Sequence, residues 1–478
     1  MPANVTGFIR TREPTIKKMP DILCPLRGAA AQVPTLPALD AGDRVFTFSE
    51  LDEWVEGTSG RLMAAGLQPG DRMVLWMEND WRLVVLLLAA LRAGIIACPL
   101  STRLPSIDTE LNLLDAAVLV SGRGGRDPDE FITRSATAAE VFHPHSQPAT
   151  VVFTTGSSGR PKAALHSYGN HYYSAAGSNE NIAVGPGDRW LLSLPMYHVG
   201  GLAILFRCLM GYGTIVLRPD FPVQEALTGI THLSLVSTQL QRILRSDGQL
   251  AGFKAILLGG SAIPRGLIDA AFDRGLPIHT SYGLTEMASQ VATTRQGATR
   301  DELQTSGRIL PHRQTKTAAD GTLLVRGKTR FLGYVDGRAL IEPFLEDGWF
   351  ATGDVGHFTE DGLLIVSGRA DNMFISGGEN VMPEEIEDAL TAINIVERAV
   401  VVDVDDEEFG RRPVAFVDVG ELVLDPSELR AALAKKLPAF KIPGRFFLWP
   451  ERDAAPGMKV NRAFFRREAD MLMRRSEP

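Results

Sequence analysis

The sequence predicts an α/β protein, with a large N-terminal body and a small α+β domain at its C-terminal end. Helix-like and strand-like apolar stretches alternate through the first hundred residues, as layered α/β structure with parallel strands requires. The texture changes beyond about Gly368, where short strands, a glycine turn and capped helices follow one another. The 478 residues are also about three times the loose prior of ~150 per domain.

In chain order, Thr47 and Glu50 stand at capping-box spacing in FTFSELDEWVEGTSGRLMAAGL, whose later apolar residues fall at helical intervals. Gly70 and Asp71 then turn into RMVLWME, a short run suited to a buried strand. Helix followed by strand recurs in WRLVVLLLAALRAGIIACPL. From Val84 to Leu100 this is the most apolar part of the chain, but Arg92 interrupts it and Gly94 and Pro99 punctuate it. It therefore lacks the ~20 unbroken apolar residues of a membrane span. Ser121–Glu130 is turn-rich and expected to be an exposed loop. Near the C-terminal end, GRADNMFISGGENVMPEEIEDAL predicts a strand, a glycine turn and a helix starting at Pro383, since proline suits a first helical turn. VERAVVVDVDDEEFGRRPVAFVDVG predicts two strands joined by an acidic loop, and DPSELRAALAKKLPAF a capped helix. The domain boundary falls between residues 1–370 and 371–478, and the smaller piece is large enough to fold alone.

Hydrophobic residues make up 45% and charged residues 22%, which fits an ordinary globular protein and excludes a disordered or collagen-like chain. The net charge of −8 argues against a general nucleic-acid binder, which needs a basic face. Cys24, Cys98 and Cys208 are odd in number and far apart, so buried free thiols are expected rather than disulfides or zinc ligands. The N-terminus MPANVTGFIRTREPTIKK has no apolar h-region. The expectation is a cytoplasmic chain with no membrane span and no nucleic-acid partner.

The stretch TVVFTTGSSGRPKAALHS is the most informative. An apolar strand, Val151–Phe153, leads into Thr154, Thr155, Gly156, Ser157, Ser158, Gly159, Arg160, Pro161 and Lys162. Glycines permit close backbone approach, and clustered hydroxyls, N–H groups and a lysine can surround phosphate oxygens. A Walker A pattern is absent. Composition alone leaves a plain serine/glycine turn equally open.

The string TTGSSGRPK, however, resembles the phosphate loop of the adenylate-forming superfamily, which includes acyl-CoA synthetases, adenylation domains and luciferases. Companion motifs follow in the family's order. SYGLTEMAS at 281–289 is similar to its YGxTE motif. The resemblance implies that Tyr282 stacks a purine, Thr285 lies near the α-phosphate and Glu286 ligates magnesium. GWFATGDVG at 348–356 looks like its TGD motif, with Asp354 accepting from ribose hydroxyls. GRADNMFISGGENVMPEEIE resembles its hinge, with Arg369 on ribose or phosphate oxygens and Asp371 at the pivot. Gly377 and Gly378 are then in the loop on the coenzyme A side. PGMKVNRAFFRRE at 456–468 looks like the C-terminal lysine motif, so Lys459 would be catalytic. This chain has Met458 where the family commonly has glycine.

Membership in that superfamily implies ATP, Mg2+ and coenzyme A as cofactor and co-substrates, and a small-molecule carboxylic acid as substrate. It also implies a body of layered α/β subdomains with a β-barrel-like part, a mobile C-terminal cap, and a homodimer as an open option. LPMYHVGGLAILFRCLMGYGTIVL places Tyr197 and His198 where the family gates its acyl pocket. The segment from Leu257 through SYGLTEMASQVATT, with STQLQRIL at 237–244, is similar to one subgroup, the o-succinylbenzoate–CoA ligases of menaquinone biosynthesis. On that resemblance His198, Gly260, Ser237, Thr238, Ser289 and Gln290 are the acyl-pocket candidates. Another aryl- or acyl-CoA ligase, or an adenylation enzyme loading a carrier protein, is the alternative.

Overall fold

A computed structural model describes residues 20–136, 139–155, 161–218, 227–245, 252–261, 263–406, 409–420, 422–450 and 461–475. Among these residues the α/β class and the small C-terminal α+β unit are as expected. No helix of the described residues is long and apolar enough to cross a membrane.

The capping box is formed. Thr47 Oγ1 accepts from the Glu50 N–H at 3.2 Å, and the Glu50 carboxylate accepts from the Thr47 N–H at 2.9 Å, opening helix Phe48–Ala64. Both bonds satisfy donors that a helix start leaves orphaned. Thr47→Ala should cost about 1 kcal/mol, read as a lower urea midpoint for the N-terminal transition. The apolar stretch forms helix Trp81–Ala93 and strand Ile96–Pro99. Leu83 through Leu91 are all buried, so the helix is enclosed rather than resting on a surface. All three cysteines are buried and free.

Two large sheets and one smaller sheet frame the body. A seven-stranded sheet has the spatial order Ala339–Ile341, Gly333–Asp336, Pro161–Ser167, Pro148–Thr155, Ile96–Pro99, Arg72–Leu75 and Val118–Val120. A nine-stranded sheet contains adjacent parallel strands Arg189–Leu191, His232–Leu235, Ala255–Leu258 and Ile278–Leu284. Antiparallel Ser289–Thr293 continues it. The barrel-like part is a four-stranded antiparallel sheet, Arg313–Thr317, Thr322–Gly327, Phe350–Phe358 and Leu364–Arg369.

The C-terminal unit has its own core. Phe374, Ile386, Leu390, Val401, Val417, Leu429 and Leu433 pack together, and Val400, Val402, Phe416 and Phe465 fill the opposite face of the same strands. Strands Arg398–Asp406 and Gly410–Asp418 pair antiparallel, as the two predicted strands should. Asp425 caps helix Pro426–Leu433. An ion pair of 2.6 Å from Arg245 to Glu397 joins the body to this unit.

Candidate active site

Four parallel neighbours of the nine-stranded sheet end on the same edge. The segments leaving the first three of those ends carry His198, Ser237 and Gly260, and the end of the fourth strand with the turn after it carries Tyr282–Glu286. Residues from His198 to Glu286, 88 positions apart, thereby converge where ligands bind in open α/β sheets, outside the carboxyl ends of the strands.

Tyr282–Glu286 is also where the three sheets meet. Strand Ile278–Leu284 gives way to a single 3₁₀ turn, Thr285–Met287, and the chain returns as strand Ser289–Thr293. From the seven-stranded sheet, the buried His166 reaches this turn with Nε2 at 2.7 Å from the Thr285 carbonyl oxygen. Burial pulls the His166 imidazole down to about 4, so it is neutral at pH 7 and Nε2–H donates to that carbonyl. Tyr334 of the same sheet donates its hydroxyl to Glu286 at 2.7 Å. Lys162 is exposed, with its ammonium 5.2 Å from the centre of the Tyr334 ring. Lys162 and the Glu286 carboxylate therefore flank one tyrosine.

Pro148–Thr155 and Pro161–Ser167 form a hairpin in which Thr154 stands directly across from Lys162. Gly156, Ser157, Ser158 and Gly159 lie outside the described residues, as does the Thr155 side chain. The strand thus runs beyond the expected Val151–Phe153 in both directions, because its hairpin partner continues the ladder.

The four-stranded sheet delivers the third group. Asp354 accepts from the Tyr282 hydroxyl at 2.6 Å. It also accepts from Arg369, its cross-strand partner, at 3.2 Å. Arg369 further donates to the Thr352 carbonyl at 2.9 Å and to Asp371 at 3.0 Å. Gly353 has φ of +75°, and a Cβ there would lie 2.9 Å from the Arg369 guanidinium, so the glycine of TGD makes room for the arginine. The Tyr282 ring packs into a core with Met287, Val291, Phe331 and Phe350.

Glu286 has one carboxylate oxygen beyond its bond to Tyr334. A single hard carboxylate suits Mg2+, which is held by one or two carboxylates together with phosphate oxygens and waters. Among the described residues no cluster of three or more His, Cys, Asp or Glu could hold a metal by itself.

The acyl-pocket candidates separate. His198 precedes helix Val199–Gly211 and packs its ring against Tyr197 at 4.7 Å between centroids. Ser237 opens helix Ser237–Arg245, and Gly260 has φ of +84° after its strand. Gln290 is 3% exposed, with its amide held on three sides. The amide nitrogen donates to Thr293 at 2.6 Å, and the amide oxygen accepts from Ser178 at 2.8 Å and from Arg207 at 2.6 Å. Arg207 also approaches Ser289 Oγ at 3.4 Å and lies over the Trp190 ring.

Sequence reasoning missed Arg207. It is 1% exposed, and no carboxylate pairs with it among the described residues. Its Nε has no partner there either. Burial pulls its guanidinium down to about 10, which still leaves it charged at neutral pH. The signal was available, because Arg207 is the one charged residue between Val199 and Gly213. Buried arginine nearly always needs a partner.

The coenzyme A-side candidates are elsewhere. Gly377 and Gly378 make the left-handed turn between strands Phe374–Ser376 and Glu379–Val381. Gly377 donates to the Phe409 carbonyl at 2.9 Å, inside the C-terminal unit. Lys459 and Met458 lie outside the described residues.

This geometry has close relatives. Residues 26–335 match the AMP-binding enzyme family, and residues 385–454 match the AMP-binding enzyme C-terminal domain. The 2-succinylbenzoate–CoA ligase of Salmonella typhimurium is 35% identical over 432 residues, covering 89% of this chain and 93% of that protein. The same-named enzyme of Geobacillus kaustophilus is 32% identical over 484 residues, covering 95% and 98%. Among solved structures, a variant of E. coli MenE with bound OSB-AMS superposes with a TM-score of 0.81 at 31% identity, covering 93% of this chain and 98% of that one. Bacillus subtilis MenE in complex with the acyl-adenylate intermediate OSB-AMP superposes with a TM-score of 0.82 at 28% identity, covering 90% and 95%. With matched models over both its body and its C-terminal unit, the chain belongs to the AMP-binding enzyme family.

Proposed function

We propose that the chain is an AMP-forming acid–thiol ligase that converts o-succinylbenzoate to its coenzyme A thioester through an acyl-adenylate, in menaquinone biosynthesis. The observation that carries the choice of acid is Arg207. A buried guanidinium without a carboxylate partner calls for an anion. This substrate brings two carboxylates, one to be activated and one to be held. Arg207, positioned by Gln290 and next to Ser289, holds the aryl carboxylate with a planar fork suited to it.

A free carboxylate is a poor acyl donor because oxide would have to leave. Attack of the succinyl carboxylate on the α-phosphorus of ATP forms the acyl-adenylate and releases pyrophosphate. The thiol of coenzyme A then attacks the acyl carbon and AMP departs. Such chemistry depends mainly on positioning and charge neutralisation. In this reading Thr154, the loop hydroxyls and Lys162 hold phosphates, and Tyr282 and Thr285 border the nucleotide. Asp354 accepts from the ribose diol, and Arg369 contacts ribose or phosphate oxygens. Glu286 holds Mg2+, which supplies charge neutralisation of the phosphates when bound. Lys459 stabilises the charge that develops at the α-phosphate, and rotation about Asp371 exchanges it for the Gly377–Gly378 side. The three buried free thiols fit a reducing, cytoplasmic setting.

The test is pyrophosphate release over a panel of carboxylic acids. o-Succinylbenzoate should exceed benzoate, fatty acids and amino acids by about 10²-fold or more in kcat/KM, the scale of a lost charged hydrogen bond with its desolvation. Release with another acid and none with o-succinylbenzoate would overturn this choice of substrate and favour a different acyl-CoA ligase or a carrier-loading enzyme.

A further inference from the structure

A second buried arginine stands behind the first. Arg313, on strand Arg313–Thr317, is 6% exposed. Its Nε donates to the main-chain oxygen of Gln290 at 2.6 Å, one terminal nitrogen donates to the Pro311 carbonyl at 2.7 Å, and the other reaches the Ser174 carbonyl at 2.9 Å and hydroxyl at 3.2 Å. Every acceptor is a neutral oxygen, and among the described residues no carboxylate pairs with it. Ser174 in turn donates to the Ala288 carbonyl at 2.7 Å, so Arg313 and its partners fix both sides of Ser289. The packing is made for it. At Gly177 a Cβ would come 2.5 Å from the Arg313 guanidinium.

Two buried cations thus share one residue. Arg207 is bonded to the Gln290 side chain and Arg313 to the Gln290 main chain. Burial, with the Arg207 charge adding to it, pulls the Arg313 guanidinium down to about 9. Neutral dipoles satisfy hydrogen bonds but leave the charges uncompensated, and in a low-dielectric interior that is costly until an anion arrives.

We propose that Arg313 is a positioning and selectivity residue: it fixes Gln290 and thereby Arg207, and its charge makes the acyl pocket prefer a dianionic acid over its monoanionic analogue. The proposal rests on the substrate reading above. Arg313 does not touch the acid. It holds the residue that aims Arg207, and it adds a second positive charge to the field that the second carboxylate meets.

The experiment compares o-succinylbenzoate with 4-oxo-4-phenylbutanoate, which lacks the aryl carboxylate, by pyrophosphate release. Wild type, Arg313→Met and Arg313→Lys are assayed, with folding checked by thermal melting. In Arg313→Met, KM for the dianion should rise about tenfold or more. The kcat/KM for the monoanion and the KM for ATP should stay within about twofold, the ordinary scatter for a site not involved. Arg313→Lys keeps the charge but loses the fork, so its dianion KM should rise less, by about threefold. Equal losses on both acids would mean a merely structural arginine and would overturn the proposal. So would an unchanged preference for the dianion. If Arg313→Met does not fold, Arg313→Lys decides on the same criteria. A wild type that uses both acids equally well would instead bring down the substrate reading itself, whereas a discriminating wild type with equally discriminating variants brings down only the role of Arg313.

Discussion

Lys459→Ala should slow acyl-adenylate formation by about 10²–10³-fold, the loss typical of removing one preorganised charge-stabilising donor. Thioester formation from pre-formed acyl-adenylate and coenzyme A should keep nearly its wild-type rate. Pyrophosphate release reports the first half-reaction, and single-turnover thioester formation reports the second. The asymmetry follows from the proposed exchange of domain faces, in which the lysine serves only the first step. The chain re-enters the described structure just after this residue, at Asn461. Arg462 is then clamped by Glu387 at 2.5 and 2.8 Å, by Glu384 at 3.1 Å and by the Val401 carbonyl at 2.7 Å. Alanine at 459 leaves that clamp intact, so the unit should fold and melt as before. Equal losses in both half-reactions would count against a rotating C-terminal unit.

Arg207→Met should lower kcat/KM for o-succinylbenzoate by about 10²-fold or more, chiefly through KM, because truncating one partner of a buried charge pair costs about 2–5 kcal/mol. The same change should barely affect 4-oxo-4-phenylbutanoate, which has no carboxylate for Arg207 to hold. Steady-state kinetics on the two acids give the answer directly. A similar loss on both would show that Arg207 supports the fold of its helix and not the second carboxylate. Methionine fills most of the arginine stem volume, so apolar packing against Trp190 should survive.

Much of this molecule was legible in its sequence. The Thr47–Glu50 box, the enclosed helix at Trp81–Ala93 and the strand pair at Arg398–Asp418 follow from local spacing, which periodicity reports faithfully. Motif strings also pointed to Glu286, Asp354 and Arg369, which the structure brings together with Tyr282 where three sheets join. What local spacing does not carry is a contact across sheets. Tyr334 on Glu286 and His166 on the Thr285 carbonyl are separated by 48 and 119 positions; Tyr334 lies in no motif, and His166 stands past the TTGSSGRPK string in the same stretch. The arginine pair was hidden for the same reason. Arg207 and Arg313 stand 106 positions apart in sequence, yet each is bonded to Gln290.

The hairpin that carries the phosphate loop has a bearing on how this chain can drift. Thr154 and Lys162 are set opposite each other by the ladder between their strands. Losing one residue from either strand turns every following side chain to the other face and so parts Lys162 from Thr154. The register of the two strands is therefore as much a condition of the phosphate reading as the hydroxyls and the lysine they carry.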